Sequence, residues 1–249
     1  MAVEITALID RDRKIIMDWS PKVGCTILTK MFLKQMGLLE EALAYSSWIH
    51  EYRMFVFYND HLVTRDDLKN PEFYKFKVVR NPYSRVVSAY LRVMENTTPN
   101  NKSVQQGIKH MSWKRTSNVS FSRFVDYLET LDLLTCDQHQ ALQKKKYEYE
   151  IEPCFDKIVK LEKLDAGIEE INREKTFSFD LTGLTSHHHQ DIKTENHQGI
   201  AKVKWSKIKN NIPPYKMFYN DDLIERVMTL YKDDFDAYDY SWESFISGN

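Results

Sequence analysis

Two short apolar runs, each closed by a proline and followed at once by a helical period, limit what this chain can fold into. The first is Lys14 to Trp19 (KIIMDW), a buried strand that stops at Ser20-Pro21, where proline ends ladder pairing. Behind it, Thr26 to Met36 carries Ile27, Leu28, Met31, Phe32 and Met36 at helical spacing, and Gly37 stands where a C-terminal cap belongs. The second run, Phe73 to Val79 (FYKFKVV), is rich in aromatic and β-branched residues and closes at Arg80-Asn81-Pro82. Asn81 fits an N-cap, Pro82 the first helical position, and Val87, Tyr90, Leu91 and Met94 one apolar face. Two strand–turn–helix units predict an α/β fold with a central, mainly parallel sheet flanked by helices.

The remainder fits that scheme. Ser120 caps a predicted helix through Leu134, Phe155 to Leu161 reads as a third strand, and Leu164 to Arg173 as a helix. Asn220, with Asp221 and Asp222 behind it, opens a last helix that turns Leu223, Val227, Leu230 and Tyr231 to the core. Two stretches lack a period. Residues 96–118 are polar and read as a surface loop able to cover a site, while 176–214 is too long for an idle connector and reads as a lid or binding loop. With 249 residues, a single domain over 1–249 is expected.

Composition removes several classes of function. The formal charge is −1 and the pI near 6.7, so no global basic field gathers nucleic acid or an anionic membrane, and any anion site must be local. The three cysteines, Cys25, Cys136 and Cys154, have no paired spacing, which argues against a disulfide framework or a structural zinc site. Glu4 and Asp10 interrupt the N-terminal apolar stretch and charged residues follow it, so no signal peptide or membrane span is drawn and a cytoplasmic protein is expected.

Chemistry concentrates in the two turns. Pro21-Lys22-Val23-Gly24-Cys25-Thr26 lies between a strand and a helix, where free backbone N–H groups favour a phosphate or sulfate. Gly24 permits close approach, Lys22 supplies a cation and Thr26 a hydroxyl. Lys22 precedes Thr26 by four positions, so this is not a Walker A loop, and alone it reads as an ordinary strand-to-helix turn with a surface lysine. The second turn again sets a cation, Arg80, at a strand end, with Ser88 on the following helix; a structural salt bridge and a small packing residue are the plain alternative.

Together, PKVGCT and KVVRNPYSRVVSAY resemble the paired 5′-phosphosulfate and 3′-phosphate motifs of the sulfotransferase superfamily, nearest the branch of Golgi-type carbohydrate enzymes. The similarity extends through FSRFVDYL, DQHQ, PCFDKIVKLEKL and YNDDLIERVMTLYKDDFDAYDY. It implies a single P-loop-like domain that uses 3′-phosphoadenosine 5′-phosphosulfate (PAPS), releases PAP and needs no metal. Lys22, Val23, Gly24, Cys25, Thr26 and Ile27 would then hold the 5′-phosphosulfate, and Arg80 and Ser88 the 3′-phosphate.

Sulfuryl transfer is an in-line displacement in which positioning and charge stabilisation dominate. Lys22 is the candidate for the leaving oxygen. The resemblance points to His61 as general base, with His50 and His139 as competitors and Glu51 as a substitute if the acceptor is an amine; Gln140 replaces the tryptophan expected after His139. The run His187 to His189 reads as polar loop rather than metal site, and Lys202, Lys204, Lys207 and Lys209 as either a clamp over the 3′-phosphate or a solvated face. Trp48 and Trp113 lie in segments suited to an acceptor pocket. The acceptor expected is the hydroxyl or amine of a small metabolite, as in natural-product sulfation; a glycan hydroxyl is the alternative, and a non-catalytic PAP-binding protein the alternative of another class. A P-loop kinase would need a Walker loop and an acidic magnesium ligand, and neither is read.

Overall fold

The computed structural model describes residues 5–95, 99–110, 119–175, 177–184 and 199–247. In chain order the first elements are β1 (Leu8–Asp10), β2 (Ile15–Trp19), α1 (Cys25–Gln35), α2 (Leu39–Tyr45) and α3 (Ile49–Tyr52), the last running through a π-helical turn at Arg53–Phe57 into α4 (Tyr58–Asp60). There follow α5 (Arg65–Lys69), β3 (Tyr74–Val79), α6 (Pro82–Glu95), α7 (Pro99–His110), α8 (Phe121–Leu128), β4 (Lys157–Lys160) and α9 (Leu164–Lys175). The chain closes with α10 (Trp205–Ile208), α11 (Asp221–Leu230), α12 (Lys232–Tyr238) and α13 (Trp242–Ser247). These elements group into two compact units, one of residues 1–80 and 143–187, the other of 81–142 and 188–249.

The first unit holds the sheet, ordered β1-β2-β3-β4, with β2, β3 and β4 parallel and β1 an antiparallel edge. The α/β architecture with a mainly parallel sheet flanked by helices is therefore as expected. Pleating divides β2: Ile15, Met17 and Trp19 join one core with Phe76 and Val78 of β3, while Ile16 joins the other with Ile9 and Tyr147. The first core is closed by Leu28, Met31 and Phe32 from α1 and by Ile168 and Ile171 from α9. Each such side chain contributes about 1.5–3 kcal/mol by leaving water. Gly37 ends α1 as expected, at φ 75°, with its N–H on the Lys34 carbonyl and the Leu38 N–H on that of Leu33.

On the second face of the sheet the pleat points charges inward. Asp18 and Lys77 are both fully buried, 3.4 Å apart. Lys77 also pairs with Glu148, Lys145 reaches Asp18 and the Trp19 carbonyl, and the Tyr147 hydroxyl donates to Asp18 at 2.9 Å. Burial pushes the Asp18 carboxyl up, yet the ammonium groups of Lys145 and Lys77 prevail and hold it below the usual carboxylate range. This network lies directly behind the end of β2.

In the second unit α6 is buried almost all round, which marks it as the central helix. Its N-terminus is capped as expected, the Asn81 side chain accepting from the Tyr83 N–H at 3.1 Å. Tyr83 meets Tyr219, Phe235 and Trp242 at ring separations of 4.9 to 5.2 Å, in edge-on or tilted arrangements. Arg85, 1% exposed, donates to the carbonyls of Ala141 and Gln138, and burial lowers its pKa. Two expectations need correction. The stretch 96–118, read as loop, contains α7, which buries Val104 and Ile108; and the helix capped by Ser120 stops at Leu128 rather than Leu134, where a turn bound by the Asp132 carboxylate takes over. Within 176–214, α10 forms and Lys204 bridges to Ser120.

Candidate active site

Beyond Trp19 the backbone does something unusual for an L-residue: Lys22 takes φ 74°. Gly24 follows at φ 81°, a conformation that suits glycine. A Cβ at Gly24 would also stand 3.2 Å from Leu161 Cδ1. From this double left-handed turn α1 starts, its first internal bond running from the Leu28 N–H to the Gly24 carbonyl, and no side chain caps its first turn. Val23 is fully buried in the core and anchors the turn, whereas Lys22, Cys25, Thr26 and Ile27 are half-buried. The turn brings together a helix N-terminus, a lysine and a hydroxyl, groups whose chemistry suits an anion.

His50, only 8% exposed on α3, is brought onto this turn. Its Nε2 lies 3.2 Å from Thr26 Oγ1 and 3.7 Å from Cys25 Sγ. Exposed Trp48 stands edge-on to the His50 ring at 5.7 Å. His61, the expected base, stacks instead on Phe57 at 4.4 Å and gives its backbone N–H to the Phe57 carbonyl. His139, in the other unit, contacts Asp137 at 2.8 Å and holds that carboxyl below its ordinary range.

Arg80 follows β3 directly, and its guanidinium donates to the Lys22 carbonyl at 3.0 Å, so the two predicted cations share one corner of the first unit. Ser88 belongs to the second unit, where α6 buries it to 9% exposure. Lys202, Lys204, Lys207 and Lys209 are all exposed, while His187 to His189 and Trp113 lie outside the described residues. Among the described residues no group of three His, Cys, Asp or Glu side chains is placed to hold a metal ion. Nor is any described helix long and apolar enough to cross a membrane.

Sequence reading missed the residues behind the turn. Gln143, fully buried, and Lys145 sit in the run QKKKY, whose polarity reads as a solvated face. No periodic signal ties them to β2 and β3.

Residues 6–241 match the family model described as the sulfotransferase family, and the chain belongs to that family. Comparison with curated proteins and with solved structures returned no match. The activity class is thereby sulfotransfer.

Proposed function

We propose that this chain transfers a sulfuryl group from PAPS to a hydroxyl or amine of a small acceptor, and that the turn from Lys22 to Ile27 holds the 5′-phosphosulfate. The observation that carries this is the left-handed pair Lys22 and Gly24 opening onto an uncapped helix, with Arg80 fastened to the same turn. Arg80 is proposed for the 3′-phosphate. Bound PAPS supplies an electrophilic sulfuryl group and, in PAP, its leaving group. Lys22 neutralises the charge that develops on the leaving oxygen, and the Thr26 hydroxyl donates to the same anionic group.

For the acceptor proton the geometry favours His50, because it already touches Thr26, over His61, which the resemblance suggests. His50 accepts that proton as the acceptor oxygen or nitrogen bonds to sulfur. Trp48, beside His50 and half exposed, offers a flat face to the body of the acceptor.

Thermal stabilisation by PAP, compared with ATP and magnesium, tests the donor assignment, since a ligand that binds only the folded chain raises its melting temperature. PAP should stabilise and ATP should not; the reverse rejects the assignment. Transfer of label from PAPS to an acceptor mixture then separates an enzyme from a PAP-binding protein that performs no chemistry.

A further inference from the structure

We infer that Gln143 is a positioning residue for sulfotransfer, locking Arg80 and the Lys22 turn into one rigid corner; this rests on the nucleotide assignment proposed above. β3 stops pairing at Val79, so the backbone of Arg80 is left just beyond the ladder. The side-chain amide of Gln143 takes over as a substitute strand. Its Oε1 accepts from the Arg80 N–H at 2.9 Å, and its Nε2 donates to the Arg80 carbonyl at 2.8 Å. Only one orientation of the amide satisfies both contacts, because the first needs an acceptor and the second a donor.

The backbone carbonyl of Gln143 binds the neighbouring strand as well. It accepts from Lys77 Nζ at 2.6 Å and from Ser20 Oγ at 3.4 Å, and Ser20 is the residue that leads into the Lys22 turn. One residue thus reaches the ends of β2 and β3 together. Fixing the Arg80 backbone aims its guanidinium, and the guanidinium in turn holds the Lys22 carbonyl. Lys22 sits at positive φ, a conformation that persists in a lysine only when its surroundings impose it. The Gln143 side chain is fully buried, so an apolar replacement takes two hydrogen bonds from the Arg80 backbone and loosens the corner.

The test uses the full chain with Gln143→Met, which keeps length and removes both hydrogen bonds, and Gln143→Glu. Melting temperature, PAP dissociation constant and acceptor KM are measured for each. Expected for Gln143→Met is PAP binding weakened about tenfold, as loss of two buried hydrogen bonds implies, with acceptor KM unchanged. Gln143→Glu should bind PAP weakly at pH 8, where a carboxylate opposes the Arg80 carbonyl. Relative to the wild type at the same pH, it should recover as the pH falls, because a protonated carboxyl again offers one donor and one acceptor. Wild-type PAP affinity in either folded variant overturns the inference, as does equal loss of PAP and acceptor binding. Collapse of the fold in both variants assigns Gln143 to stability alone and overturns it too. A wild-type chain that ignores PAP removes the donor assignment itself, whereas a wild type that binds PAP beside unaffected variants removes only the role of Gln143.

Discussion

The turns after β2 and β3 begin alike in sequence, a cation at a strand end followed by a helix, yet they solve the problem of the helix N-terminus in opposite ways. After β3, Asn81 caps α6 and Pro82 has no N–H to offer, so that turn satisfies itself and contributes only the Arg80 side chain beyond it. After β2 no side chain caps α1, and two left-handed residues hold its first turn open. A closed turn satisfies its own helix; an open one leaves N–H groups for a ligand. Under the function proposed above, the anion site is made by withholding a cap, with the packing and ion pairs behind the turn holding it in place.

Breaking the open turn should have the largest effect. Lys22→Ala is expected to lower the transfer rate by about 10²–10³ while PAP still stabilises the protein, since the lysine acts on charge that develops during the reaction; unchanged turnover removes it from the mechanism. His50→Ala should cost about 10² in rate and abolish the ascending limb of the pH–rate profile, with His61→Ala close to wild type. The opposite ranking returns the base to His61. Gly24→Ala should destabilise the chain by about 1–2 kcal/mol through its φ of 81° alone, and weaken PAP binding because the new Cβ, 3.2 Å from Leu161 Cδ1, shifts the turn. Smallest is the closed turn: Asn81→Ala should lower stability by about 1 kcal/mol in denaturant unfolding and leave PAP affinity unaltered. A loss of PAP affinity there would show that the two turns do not divide their tasks in this way.

Both turns were legible because each marks a change of period, from 2 in the strand to 3.6 in the helix, with proline or glycine at the break. β1 was not, since three residues ahead of a charged turn carry too little pattern. α7 escaped for a related reason: among its described side chains Val104 and Ile108, four positions apart, mark its buried face. The site was half legible. Lys22, Gly24 and Arg80 stand inside motifs, but His50 meets Thr26 from 24 positions away, on a segment without any strong period. The buried charges were hidden by composition, because Lys77 and Lys145 resemble solvated lysines until the pleat of β3 turns the one, and the loop before Tyr147 brings the other, onto Asp18.

The partition of the chain has a consequence for its biosynthesis. Each compact unit is assembled from two stretches, and the whole first stretch of the second unit lies between β3 and β4. A ribosome therefore delivers the open turn and its strand long before β4 or Gln143 exists, and the nascent sheet must wait with the edge of β3 exposed. The Lys22 corner is thus made well before the residues that fix it in place.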